Sequence, residues 1–321
     1  MSTAKPTVCI AILNYNGISF LEQLVPTLRT AVKRWGGPCS IVLLDNRSTE
    51  PDYQWAQENC PDLEFVLAPA NDMLYSYNWL IPGRSEDIII LLNNDIRVSE
   101  NFIGPLVKHF NEEDVFSVGA TSRDWEDKED TCGPWYLKSN HGLYYWGYDA
   151  KAQNLKHTFI TVGGFMAVDR QKFVDLGGFN RLFYPAYCEE TELCFRAWRR
   201  GWRCIFEPES MVYHFDGGTF KRESKRQRRL QLRSYFLFQW SSLPNLTPEW
   251  LTTLLVLARC LKYVLLCKFY WPITYFRTKN EWRRVRKSHS AMKTNPEELE
   301  TIIRRLSEPV VVDSMAAKKC A

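Results

Sequence analysis

Residues 8–13, 41–44 and 88–92 are short, unbroken apolar runs, two of them rich in β-branched residues. Runs of this length suit strands covered on both faces, as in a parallel sheet. Each stops at polar residues: Asn14-Tyr15-Asn16-Gly17, Asp45-Asn46-Arg47-Ser48 and Asn93-Asn94-Asp95. Between the first two runs, Phe20, Leu21, Leu24, Leu28 and Val32 recur at helical spacing until Gly36-Gly37-Pro38 ends the pattern. Strand, helix, strand with polar carboxyl ends predicts an α/β fold whose mostly parallel sheet holds a nucleotide at those ends.

Further along, the pattern changes. Residues 121–158 interleave Trp125, Trp135, Tyr136, Tyr144, Tyr145, Trp146 and Tyr148 with Gly and charged residues. They predict a hairpin-rich, substrate-facing insertion or a small antiparallel patch of core. Residues 161–168 read as a strand opening at Gly163-Gly164, where a backbone could approach a ligand closely. A helix is expected from Glu189 to about Arg200, with Leu193, Ala197 and Trp198 inward and Gly201 as its stop. Strand 204–206 should lead to residues 212–216, and a short helix is expected over 296–306.

Composition is that of an ordinary globular chain of 321 residues, 45% hydrophobic and 24% charged. Ten cysteines form no CxxC pair and no Cys/His cluster at zinc-ligand spacing. With an opening Met-Ser-Thr-Ala-Lys-Pro that lacks an apolar core, they suggest reduced thiols in a cytoplasmic protein. Charge alters the picture more. Residues 221–290 hold 16 Lys/Arg against three Glu, net +13, while the whole chain carries only +4. Such asymmetry points to an anionic partner. Residues 250–271 are rich in Leu, Val and aromatics, but Arg259, Lys262 and Lys268 interrupt them, so no uncharged stretch approaches the roughly 20 residues that span a bilayer. Either an interfacial helix with snorkelling basic residues or packing against the main domain accounts for them.

Two acidic sites carry the candidate chemistry. Glu189, Glu190 and Glu192 crowd the start of one helix, and Asp95 ends the 88–92 run. An ionised Asp45 at a strand end can accept from a base N–H or a ribose hydroxyl, and Asn14 and Asn16 offer both donor and acceptor. All three are also ordinary turn formers after strands.

Seven motifs in order, Leu-Asn-Tyr-Asn-Gly (13–17), Leu-Asp-Asn-Arg-Ser (44–48), Leu-Asn-Asn-Asp (92–95), Gly-Gly-Phe-Met (163–166), Gly-Gly-Phe-Asn (177–180), Glu-Glu-Thr-Glu-Leu-Cys (189–194) and Val-Tyr-His (212–214), resemble family 2 glycosyltransferases, the rhamnosyltransferase-like branch above all. The resemblance covers about residues 6–240 and implies a GT-A fold: a Rossmann-like sheet with helices on both faces. Here that fold would be followed by a helical, basic and apolar extension. It implies sugar transfer from a nucleoside-diphosphate sugar with inversion at the anomeric carbon. With the charge pattern, it leads to residues 1–220 as the expected catalytic domain, 221–290 as the extension and 291–321 as a tail. Asn14, Asn16, Asp45, Asn78 and Asn94 fall on the donor nucleotide, and Asp95 with His214 on a Mn²⁺ or Mg²⁺ ion at the diphosphate. Glu190 is the general base, with Glu189 as the substitute because the family's Asp is one methylene shorter. Gly163, Gly164, Trp125 and Trp146 are assigned to the sugar and acceptor side.

Three departures stand out: Asn93 replaces a first metal-binding acid, Glu190 stands where the family has Asp, and residues 71–78 lack an early glycine. They motivate a second reading, a catalytically silent sugar-nucleotide or glycan binder. The acceptor is expected to be a glycan or a lipid-linked sugar at the inner face of an anionic membrane. Nucleic acid is not expected, because basic residues alone confer salt-dependent affinity without readout.

Overall fold

The computed structural model describes residues 5–140, 143–215, 225–245, 248–289, 293–308 and 310. Asp216, the last residue of the expected 212–216 segment, and residues 221–224, the start of the basic 221–290 extension, lie outside the described residues.

The strands are β1 (Val8–Asn14), β2 (Cys39–Asp45), β3 (Glu64–Leu67), β4 (Ile88–Asn93), β5 (Ile96–Val98), β6 (Val115–Asp124), β7 (Trp135–Asn140), β8 (Leu143–Tyr148), β9 (Lys156–His157), β10 (Phe165–Asp169) and β11 (Arg203–His214). The helices are α1 (Ile18–Trp35), α2 (Asp52–Asn59), α3 (Tyr77–Leu80), α4 (Ile103–Val107), α5 (Arg170–Asp175), α6 (Glu189–Arg199), α7 (Lys225–Ser241), α8 (Glu249–Leu265), α9 (Tyr270–Val285) and α10 (Pro296–Ser307). The main sheet runs β3-β2-β1-β4-β10-β6-β11-β5, with β9 added beside β11. Its β3-β2-β1-β4 half is parallel, and β10 enters antiparallel between β4 and β6.

Strict alternation explains why both faces of this sheet are dry. On β1 and β4, Cys9, Ala11, Ile89 and Leu91 join one core, whereas Val8, Ile10, Ile12, Ile88, Ile90 and Leu92 join the other. Leu21, Leu24 and Leu28 of α1 cover the second face; Leu193, Phe195 and Trp198 of α6 cover the first. A strand buried on both sides needs no polar positions, so its sequence reads as a continuous apolar run.

Two expectations are corrected by the backbone. β10 begins only at Phe165, because Gly163-Gly164 sit in the turn before it rather than inside a strand. The apolar 250–271 stretch is two helices, α8 and α9, broken at residues 266–269 where Cys267 takes a positive φ of 54°. The aromatic insertion does form a hairpin, β7–β8. It leans on α7, whose Gln239 accepts from the Tyr144 N–H (3.1 Å) and donates to the Tyr144 carbonyl (2.9 Å). Leu237 and Phe238 of α7 and Leu299 and Ile302 of α10 bury themselves in the same core as α6.

Candidate active site

The in-register parallel pairing of β1 with β2 and β4 brings three polar strand ends together. The Asn14 amide donates to Asp52 (2.8 Å) and to Asp45 (3.2 Å), and its oxygen accepts from Asn94 (2.8 Å). Asp45, 2% exposed, also accepts from the Ser48 N–H (2.8 Å) and hydroxyl (2.6 Å). Asn16, at φ 48°, ties the first loop to the second by accepting from the Thr49 N–H (2.7 Å) and donating to its hydroxyl (2.9 Å). Gly17 is required by a close approach, since a Cβ there would meet the Asn94 amide at 2.0 Å. Asp52, which the sequence pattern did not single out, is fully buried; it accepts from the Gly17 N–H (2.8 Å) and keeps one oxygen buried without a hydrogen-bond partner. Its only signal was an acid in the first turn of a helix.

Asp95 follows β4 and His214 ends β11, and the Phe215 N–H donates to the Asp95 carbonyl (3.0 Å), holding the two chains side by side. The His214 Nε2 and an Asp95 carboxylate oxygen lie 3.7 Å apart. Two ligands of one ion, each about 2.1 Å from it, can be up to about 4.2 Å apart, so this pair fits around one divalent cation. Among the described residues no group of three or more His, Cys, Asp and Glu gathers.

The carboxylates at the head of α6 present the opposite situation. Tyr187 and Cys188 both adopt positive φ (75° and 65°), a left-handed pair that turns the chain sharply into Glu189. Glu189 and Glu190 each keep an oxygen buried without a hydrogen-bond partner. Burial, then the neighbouring Glu190 charge, pushes Glu189 up to about 9. Burial raises Glu190 as well. Low-dielectric surroundings outweigh the helix dipole, which alone would favour the charged forms. Glu192 differs: it is closed off by Arg196 in a bidentate pair (2.7 and 2.8 Å), and Arg196 also donates to the Gly178 carbonyl (2.6 Å).

Only Glu190 of the three faces open space. It lines a cleft of about 390 Å³ with Trp135, Tyr145, Trp146, Gln231 and Tyr235. Gly163 and Gly164 connect this cleft to the β4 end. A Cβ on Gly163 would lie 3.8 Å from the Glu190 Cβ, and one on Gly164 would strike the Asn93 amide at 2.7 Å. The Asn93 N–H donates to the Gly164 carbonyl (2.9 Å).

The family model described as glycosyltransferase like family 2 matches residues 6–235. The chain belongs to that family. It is similar to a putative polypeptide N-acetylgalactosaminyltransferase 10 of Drosophila melanogaster, 22% identical over 264 residues, which are 73% of this chain and 42% of that protein. The chain thus spans about two fifths of that curated relative's length. Among solved structures it is similar to the mannosyltransferase PcManGT from Pyrobaculum calidifontis in complex with GDP-Man and Mn²⁺ (TM-score 0.54, 15% identity, 94% of this chain and 80% of that one). It is also similar to GalNAc-T7 with UDP, GalNAc and Mn²⁺ (TM-score 0.53, 15% identity, 73% and 48%). These are likenesses of fold, and the fold is GT-A.

In this family 2 member the remaining sequence candidates separate. Asn78 clamps the Phe179 backbone, donating to its carbonyl (2.7 Å) and accepting from its N–H (2.7 Å), so both ends of its amide are engaged within the protein. Trp146 stands in the cleft against Tyr235 (5.4 Å between ring centroids) and Phe238 (5.2 Å). Trp125 does not join it. Its ring lies under the Arg97 guanidinium (4.1 Å) and meets Phe215 edge to face (5.6 Å), beside His214. Gln231 and Tyr235 of α7 were missed because the basic residues around them pointed to an exterior helix; their spacing of four was the available signal. The 71–78 segment, where the glycine is lacking, is tied to the donor side by Ser76, which donates to Asn46, and by Asn46, which donates to the Met73 carbonyl (3.1 Å).

Proposed function

We propose that this chain is an inverting hexosyltransferase of the rhamnosyltransferase-like kind. It would move a sugar from a nucleoside diphosphate to a hydroxyl of a glycan or lipid-linked acceptor at the inner face of an anionic membrane. The observation that carries this reading is Glu190, a half-buried carboxylate with one buried, unpartnered oxygen, facing an aromatic cleft one glycine turn away from the Asn93–Asp95 strand end. Aromatic walls suit the apolar faces of a sugar, and a raised carboxylate is a stronger base once ionised.

Glu190 accepts the proton of the acceptor hydroxyl as that oxygen bonds to the anomeric carbon, while the bond from that carbon to the diphosphate oxygen breaks. Among the described residues lining the cleft Glu190 is the one carboxylate, which suits a single displacement with inversion. Asp95 and His214 would hold a Mn²⁺ or Mg²⁺ ion, which when bound neutralises charge on the departing diphosphate. Asn14, Asn16, Asp45 and Asn94 shape the donor side by fixing the loops there, with Asp45 closed off by Asn14 and Ser48. Asn78 contributes by holding the 179–180 backbone.

The hydrogen-bonded state of Asn14, Asn16 and Asp45, with Asn93 in place of an acid, favours a second reading, a silent binder of sugar nucleotides or glycans. The test is transfer and donor hydrolysis with UDP- and GDP-hexoses and Mn²⁺, for wild type and Glu190→Gln. Turnover abolished by the substitution, with donor-induced thermal stabilisation retained, supports catalysis. Stabilisation of both proteins by a donor, without turnover of any, supports the silent binder.

A further inference from the structure

The hairpin of α8 and α9 has two apolar faces, and among the described residues only one is covered. Inward, Val256 and Cys260 pack against Phe236, Trp271 and Tyr275. Outward, Trp250, Leu254, Leu257, Leu261 and Leu265 follow one another at intervals of four, three, four and four, so they form a single stripe. Every one is at least half exposed, from 50% at Leu257 to 74% at Leu265. Across the turn the face continues through Phe269, Ile273 and Phe276. Single exposed leucines are commonplace, but a contiguous face of this kind marks an interaction site.

Charge identifies the occupant. Residues 250–280 contain five Lys/Arg and no Asp or Glu. Two copies of this face would set five positive charges against five, which opposes self-association. An anionic lipid surface meets both demands, acyl chains for the stripe and phosphates for the basic rim. Behind the face, Arg226 and Arg229 of α7 and Arg277 of α9 line a groove of about 270 Å³. Glu281, the one acid lining it, is held by Arg233 (2.9 Å). No helix among the described residues is long and apolar enough to cross a membrane, so contact with lipid would be in plane.

We propose that the α8–α9 hairpin beds in an anionic bilayer surface and that an acceptor carried on a lipid phosphate reaches Glu190 along α7. The path is built of two adjoining spaces. Tyr263, Tyr270 and Arg228 line a groove with Gln231 and Tyr235, and those last two residues also line the Glu190 cleft. The path rests on the sugar-transfer reading of that cleft; the bedding stands independently of it.

The test is sedimentation of the full chain with phosphatidylcholine vesicles, with and without phosphatidylglycerol, for wild type and a Leu257→Lys/Leu261→Lys variant. Melting temperature and circular dichroism serve as the folding check. Wild type should sediment with the anionic vesicles only, and the variant should bind at least about tenfold more weakly with its melting unchanged. In a Cys320→Ser background, an environment-sensitive fluorophore on Cys267, exposed just beyond α8, should shift to the blue on the same vesicles. Absence of vesicle binding, or binding indifferent to the two lysines, overturns the bedding. So does a concentration-dependent dimer that the variant dissolves, which would give the face to a second copy. Donor-induced stabilisation with Mn²⁺, measured on the same samples, separates the two readings. Lost vesicle binding with a donor response intact overturns the bedding alone, and vesicle binding without any donor response removes the acceptor path.

Discussion

The strand-end loops and the head of α6 are both built on buried acids, yet they are in opposite states. Asp45 is closed into a ring of donors from Asn14 and Ser48, and Asp52 accepts from Asn14 and Gly17. Glu189 and Glu190 retain unpartnered oxygens and raised proton affinities. Satisfied acids rigidify loops; unsatisfied ones are prepared to take a proton. Residue type alone does not distinguish these roles, but the donors around each carboxylate do.

The largest effect should come from the unsatisfied side. Glu190→Gln is expected to lower kcat by about 10²–10⁴-fold with little change in donor binding, measured by transfer assay and by donor-induced melting shift. Because its carboxyl is raised and must be ionised to act, wild-type kcat should climb with pH above the ordinary carboxylate range, and a flat profile there would exclude Glu190 as the base. Next, Asp95→Ala should abolish the Mn²⁺-dependent part of donor stabilisation while leaving the metal-free melting temperature within about 2 °C, since Asp95 is partly exposed.

The satisfied side should respond in stability instead. Asn14→Ala leaves Asp52, Asp45 and Asn94 each short of a partner, and about 2–4 kcal/mol of unfolding free energy should be lost in a denaturant titration. Glu189→Gln should do the reverse, and the sign follows from linkage. A carboxyl whose folded-state pKa is raised from its ordinary value to about 9 destabilises the fold increasingly as pH rises between those limits. The glutamine variant should therefore match wild type near pH 4 and melt at least about 3 °C higher near pH 8. The smallest effect separates the two tryptophans. Trp146→Ala should raise the acceptor KM several-fold more than it changes donor hydrolysis, whereas Trp125→Ala, beside His214, should change both alike.

Much of the fold was legible because burial on both faces prints an unbroken apolar run, as in residues 8–12 and 88–92. β6 carried no such run: its buried interior includes Ser117, Gly119, Ala120 and Thr121, with Ser117 accepting from Thr161 across the core (2.9 Å). Polar residues satisfied by a partner 44 positions away look like loop in a sequence. The same reason hid Asp52 and the Asn78 clamp on Phe179, bonds between segments 38 and 101 residues apart. The motif order singled out Glu189 and Glu190 together, but adjacent residues on a helix diverge by about 100°, and only the folded chain shows that Glu190 is the one lining the cleft. Trp125 and Trp146 lie 21 positions apart in one aromatic segment, and the chain separates them onto different sides of the site.

Arg233 adds a practical corollary. It donates to the carbonyls of Leu182 (3.3 Å) and Tyr184 (3.2 Å), just ahead of the left-handed turn into Glu189, and is itself steadied by Glu281 of α9. A chain trimmed near residue 245 would keep that arginine but lose its counter-charge and the Leu299 and Ile302 side chains from the core. Protease nicking within α8 or α9 should therefore loosen the turn into Glu189 and Glu190, so limited digestion is expected to register as lost turnover well before the sheet itself gives way.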